Sequence, residues 1–323
     1  MQFSASRKRR GGRESAVSTR TLPGSASNMA SEAEILAKVK AGMRSPAKDI
    51  PSLRGFIEKG QGALNARAPE IGEFHPDVEL RPGLRADISV PKGAGPFPIM
   101  VYLHGGGWVA GSAKSHQKLG MQFAEAGCMT INLDYRLAPE NPFPAGLDDC
   151  MFAARWAVAN GARYKGDPAR IAIGGDSAGA NLAAATIIAL GADPNPIKFK
   201  AGVLIYGLFD VPAVLGRSDK SMNLEMMARA YLADGYPALL NDPRVSPINA
   251  VKAGAMPPQF IICGDDDPLL PESHAMAEAC RNAGIEHELH IVPDMPHGFI
   301  QVWMLSAAND SLRKLFDFLH RHV

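Results

Sequence analysis

The chain has 323 residues, 46% of them hydrophobic and 21% charged, with 34 Lys and Arg against 33 Asp and Glu for a formal net charge of +1. These proportions are those of a globular protein and exclude the collagen-like, disordered and disulfide-scaffold classes. The longest apolar stretches, such as 97–103 and 182–190, are far shorter than the roughly 20 residues a membrane span needs, and near-neutrality argues against a nucleic-acid partner.

The charge is unevenly placed. Residues 1–28 hold Arg7, Lys8, Arg9, Arg10, Arg13 and Arg20 against Glu14 alone, a net of +5, which leaves the remaining chain at −4. With six serines, a Gly11-Gly12 pair and no apolar run, this stretch is no secretory signal. Its Arg- and Ser-rich composition is shared by organellar transit peptides, but the paired glycines break an amphipathic helix. It reads as a disordered basic tail, or as an over-extended reading frame that truly starts at Met29, because Ser31-Glu32-Ala33-Glu34 at once forms a helix-opening capping box.

From 29 to 75 the pattern is helical: Ile35, Leu36 and Val39 mark one apolar face, and Leu53, Phe56 and Ile57 mark another. The catalytic domain is expected over 76–323. In it, β-rich runs at 97–103, 129–133, 170–173, 203–206, 260–263 and 289–292 alternate with helical stretches at about 116–126, 147–159, 178–190, 271–283 and 305–321. That alternation is the mark of an α/β fold with a mostly parallel sheet flanked by helices. Residues 208–245, with Met222, Leu224, Met226, Met227, Tyr231 and Leu232 in a helical stretch, interrupt it. They are expected to join the amino-terminal helices as a cap over the carboxyl end of the sheet, where open α/β folds bind ligands. Cys128, Cys150, Cys263 and Cys280 form no CxxC pair, so reduced thiols, no metal site and a cytoplasmic setting are expected.

Three segments carry chemistry. Gly174-Gly175-Asp176-Ser177-Ala178-Gly179 lies between a strand and a helix and contains G-x-S-x-G. A tight strand-to-helix turn of this kind pushes the Ser177 hydroxyl into a cleft, with the helix dipole behind it. His104-Gly105-Gly106-Gly107-Trp108 directly follows the strand 97–103, and its glycines expose backbone N–H groups as an oxyanion hole requires. A phosphate-cradling loop is the rival reading, but no Gly-Lys-Ser/Thr follows. An acid and a base should then appear, in that order, after late strands. Asp265, Asp266 and Asp267 follow the run 260–263; a solvated turn or a cation site is the bland alternative for them. Of nine histidines, His297 alone sits in a Pro/Gly loop after the last strand, whereas His75, His104 and His116 precede the serine, His274 is helical, His287 and His290 belong to the last strand, and His320 and His322 end the chain.

Taken together, HGGGW at 104–108, DYRLAPENPFPAGLDD at 134–149, GDSAGAN at 175–181, DPL at 267–269 and HGF at 297–299 resemble the hormone-sensitive-lipase-like esterases (bacterial lipolytic family IV) of the α/β-hydrolase superfamily. The resemblance spans about 200 residues in the family's order. It implies nucleophile Ser177, acid Asp267, base His297, and oxyanion donors among the backbone N–H groups of Gly105, Gly106, Gly107 and Ala178. It further implies a carboxylesterase for short- to medium-chain esters, working without metal or cofactor, with a possible homodimer. Tyr135, Arg136 and Glu140 then brace loops, and Ala180 departs from the glycine usual in the family. A lactone, carbamate or amide hydrolase with the same triad is the alternative, and a non-catalytic small-molecule receptor is the alternative from another class.

Overall fold

Apolar side chains fill every position of Ile99–Leu103, so a strand formed there is buried on both faces and needs cover on both. Side chains alternate across a strand: Ile99, Val101 and Leu103 enter one hydrophobic cluster, and Met100 and Tyr102 enter a second on the opposite face. The computed structural model describes residues 1–2, 30–43, 47–217 and 221–323. The reading of 1–28 as a basic tail lies outside the described residues except for 1–2.

Eight strands are described: β1 (Glu73–Arg81), β2 (Leu84–Val90), β3 (Phe97–Leu103), β4 (Met129–Asp134), β5 (Gly166–Asp176), β6 (Ala201–Ile205), β7 (Gln259–Asp266) and β8 (His287–Pro296). They form one sheet in the order β1-β2-β4-β3-β5-β6-β7-β8. β2 runs antiparallel to both β1 and β4, and every other pairing is parallel. The helices are α1 (Glu32–Met43), α2 (Ile50–Leu64), α3 (Gln117–Glu125), α4 (Ala145–Asn160), α5 (Ala178–Gly191), α6 (Val211–Leu215), α7 (Leu224–Leu232), α8 (Leu270–Asn282) and α9 (Ser306–His322). All belong to the unit Glu32–Val323.

The two clusters assign the helices to layers. Leu119 and Phe123 of α3 and Leu312, Leu315, Phe318 and Leu319 of α9 cover the Met100 face, and Ile35, Leu36 and Val39 of α1 pack against that cluster. α4, α5 and α8 cover the other face through residues such as Leu147, Leu182 and Met276, with Leu53 and Ile57 of α2 at its margin. Phe56, expected on that apolar face of α2, instead stands 55% exposed.

The two amino-terminal strands were not expected. β1 is an edge strand of mixed polarity with Pro76 inside it and only Leu80 buried, so it lacks an apolar run. The expected boundary between 75 and 76 falls within it. β2 does alternate, burying Leu84, Ala86 and Ile88, but its intervening Arg85 and Asp87 keep it from standing out as an apolar run. Between β6 and β7, the 208–245 insertion holds α6, α7 and a 3-10 turn at Ala233–Gly235. All four cysteines are free and buried; burial pushes the Cys128 thiol up to about 12 and Cys280 to about 11. Among the described residues, no helix is long and apolar enough to cross a membrane.

Candidate active site

β3, β5, β7 and β8 are parallel neighbours or near neighbours, so the loops at their carboxyl ends converge. Those loops begin with His104, Ser177, Asp267 and His297. Ser177 sits between β5 and α5 with φ 55° and ψ −119°, a conformation that a side-chain-bearing residue adopts only under constraint. The constraint is visible: its N–H donates to the Ile205 carbonyl at 2.9 Å, and its carbonyl accepts from Ala180 and Asn181 at 3.1 and 3.2 Å. Glycines at 175 and 179 are obligatory. A Cβ on either would lie against the Leu103 carbonyl oxygen, well inside contact distance.

His297 Nε2 accepts the Ser177 hydroxyl at 2.9 Å, and His297 Nδ1 donates to Asp267 Oδ2 at 2.8 Å. The other Asp267 oxygen accepts the Leu269 N–H at 2.8 Å, which fixes the carboxylate plane. Burial pushes the His297 pKa down, but the charge of Asp267, its hydrogen bond and the more distant charge of Asp176 outweigh this, so the imidazole stands above its ordinary value. The Tyr206 ring packs on the imidazole at 4.6 Å between centroids. Three adjacent aspartates take three different partners: Asp265 accepts the Asp294 N–H at 2.6 Å, Asp266 pairs with Lys40 at 3.0 Å, and Asp267 alone reaches His297.

The glycine loop is corrected in one respect. The Gly105 N–H donates to Asp176 Oδ1 at 3.0 Å inside the protein, so it is not available to a substrate oxyanion. Gly106, Gly107 and Ala178 have no acceptor for their N–H groups among the described residues. His104 is buried, with Nδ1 donating to the Gly105 carbonyl at 2.9 Å and its ring stacked 4.2 Å from Tyr135. Burial drives its pKa down to about 3, so it is neutral and shapes the loop. Tyr135 adds a hydrogen bond to the His104 carbonyl at 2.7 Å.

The insertion also holds this loop. Gly107 has φ 62°, and a Cβ there would overlap the Met227 thioether, so α7 sits directly on the glycine. One residue on, Trp108 stacks on Tyr231 at 4.6 Å and 5°, and its indole N–H donates to Asn181 Oδ1 at 3.3 Å. Ala180, which departs from the family's glycine, is fully buried and packs toward Gly207, whose lack of a side chain makes room for its methyl.

Residues 134–149 brace rather than react. Arg136 makes 2.8 and 2.9 Å bonds to the buried Asp149. Glu140 takes a bidentate pair of 2.7 Å bonds from Arg54, whose Nε also donates to the Val109 carbonyl at 2.7 Å. α2 is thereby tied to the oxyanion loop.

Sequence reasoning assigned no role to Asp176, His116, Gln301 or Lys40. Asp176 is buried and accepts from Tyr102 at 2.7 Å, with His116 Nε2 at 3.3 Å and Gln301 Nε2 at 3.4 Å. Burial raises its pKa, but His116 and Tyr102 more than offset this and keep it ionised. Its adjacency to Ser177 was the available signal. A cavity of about 280 Å³ opens on His297 and Asp267 and is lined also by Lys40, Met43, Asp265 and Asp266. The methionines of the insertion do not line this cavity.

With this geometry in place, the comparisons with known proteins are direct. Residues 100–301 match the model of a family described as having the alpha/beta hydrolase fold. Carboxylesterase NlhH of Mycobacterium tuberculosis is 35% identical over 223 residues, 66% of this chain and 69% of that one. Ethyl acetate hydrolase of Pseudomonas putida is 32% identical over 234 residues, 69% and 73% of the two chains. Among solved structures, a hyperthermophilic esterase from the archaeon Pyrobaculum calidifontis superposes with a TM-score of 0.79 at 28% identity, covering 89% of this chain and 96% of that one. An esterase from the bacterial hormone-sensitive lipase family does so at 0.75 and 30%, covering 91% and 99%. The chain belongs to the alpha/beta hydrolase fold family. Within it, the chain stands with the hormone-sensitive-lipase-like esterases.

Proposed function

We propose that the protein is a serine carboxylesterase that hydrolyses short- to medium-chain carboxylic esters in the cytoplasm, a setting that suits four free, buried thiols. The observation that carries the reading is the continuous chain Ser177 Oγ, His297, Asp267, with links of 2.9 and 2.8 Å, at the foot of a loop that presents backbone donors.

His297 takes the Ser177 proton as Oγ attacks the ester carbonyl, forming the C–O bond of a tetrahedral intermediate. The negative oxygen is received by the N–H groups of Gly106, Gly107 and Ala178, the last reinforced by the amino-terminal dipole of α5. His297 then protonates the leaving alkoxide, and the alcohol departs from an acyl-Ser177. A water molecule repeats the sequence with His297 as base and releases the carboxylic acid. Asp267 holds Nδ1 protonated, so that Nε2 faces the serine, and stabilises the imidazolium that forms in each half-reaction.

The test is a rate series on aryl esters of increasing acyl length, with lactone and amide analogues beside them. Ester turnover falling with chain length, and lost in Ser177→Ala, is expected. Faster turnover of a lactone or amide than of any ester would assign the triad to that bond instead. Light scattering during the same work checks the homodimer that the family resemblance implies.

A further inference from the structure

We propose that Lys40, on the amino-terminal helix α1, is a positioning residue for the catalytic acid and base, a role that rests on the active-site reading above. Its ammonium pairs with Asp266 at 3.0 Å and with Asp294. Asp266 directly precedes Asp267, and Asp294 lies three residues before His297. One cation therefore bridges the ends of β7 and β8, the strands that deliver the acid and the base. The strands already share the bond from the Asp294 N–H to Asp265 Oδ1. Lys40 adds positive charge where Asp265, Asp266 and Asp294 carry like charge at the paired ends of β7 and β8.

The arrangement has two physical consequences. Asp294 adopts φ 61°, a left-handed conformation that needs a reason to persist, and its bonds to Lys40 and Asp265 supply it. Lys40 and His297 also line the same 280 Å³ cavity. Among the described residues, the charged and titratable groups around His297 are Asp267 after β7, Asp176 at the end of β5, Tyr206 after β6, Asp265 and Asp266 on β7, and Lys40, which also binds Asp294 on β8. Among the described residues, Lys40 brings positive charge to this group. It offsets carboxylates that would otherwise favour the imidazolium and delay formation of the neutral base.

α1 does not depend on this lysine for its seat. Ile35, Leu36 and Val39 pack on the core, and Glu32 accepts the N–H and hydroxyl of Ser306 at 2.8 Å each. Lys40→Met should therefore fold, with an unfolding midpoint close to wild type. Its kcat/KM at neutral pH should fall about fivefold, and the acid limb of the kcat/KM profile should rise by about half a pH unit. Lys40→Arg should restore both. Asp294→Asn, which removes a negative charge and tolerates the left-handed backbone, should move the limb the opposite way. An acid limb unmoved in Lys40→Met would overturn the assignment, whereas wild-type turnover in Ser177→Ala would overturn the active-site reading beneath it.

Discussion

At the scale of single residues, the pH response of the enzyme follows from what surrounds His297. With His297 as the proposed base, turnover needs the neutral imidazole, and since the net effect of Asp267 and Asp176 is to raise its pKa, the acid limb of kcat/KM should lie above the ordinary imidazole value. His104, held near 3, does not contribute to that limb. Asp267→Asn removes the largest upward influence and leaves the downward push of burial. Its limb should move to lower pH, while kcat falls by orders of magnitude through the wrong imidazole tautomer. Asp266→Asn, which touches Lys40 and not His297, should cost far less; equal losses in the two variants would contradict the assignment of the acid. Gly107→Ala forces a methyl into Met227 at φ 62° and should lower kcat by about 10²–10³, the usual cost of disturbing an oxyanion donor. Which aspartate serves was not legible from spacing alone, because three stand in a row. Only the folded loop shows that each has a different partner.

Among the elements, α7 does more than enclose a pocket. Its Met227 and Tyr231 press on Gly107 and Trp108, so the insertion stiffens the oxyanion loop from above as Tyr135 does from below. The Tyr231 hydroxyl is buried without a partner among the described residues, so the ring supplies the contribution. Tyr231→Phe should leave stability and turnover unchanged or slightly improved. Tyr231→Ala should lose about 3–5 kcal/mol in urea unfolding and lower kcat more than it changes KM. A Tyr231→Ala enzyme with wild-type kcat would show that the loop keeps its shape without α7. The sequence marked α7 as apolar and helical but not what it rests on, since a methionine at helical spacing reads equally well as core. β3, β5 and β7 were legible because strand segments buried on both faces are written as apolar runs, and β8, a half-buried edge strand, was legible from its run 289–292. β1, on the edge, is written in mixed polarity and was not.

For the whole molecule, the near-neutral charge total splits at about residue 28. Every residue of the candidate site lies in the −4 portion, where an uncharged ester would be handled by backbone dipoles and one buried triad. A chain beginning at Met29 should therefore keep wild-type kcat/KM and unfolding midpoint, as checked by ester hydrolysis and thermal unfolding. The convergence of Ser177, Asp267 and His297, the proposed triad, was legible because loop order along an α/β sheet translates directly into convergence at its carboxyl edge. The supports were not: Arg54 reaches Glu140 and Val109, and Lys40 reaches Asp266 and Asp294, across sequence separations that no local pattern encodes. The central claim is that Ser177 is a nucleophile activated by His297, and labelling with an active-site-directed aryl phosphonate followed by peptide mapping tests it most directly. One phosphonyl group per chain on Ser177, appearing in step with loss of esterase activity and slowed by orders of magnitude in His297→Ala, is the expected result; an unmodified Ser177 in fully inhibited enzyme would contradict it.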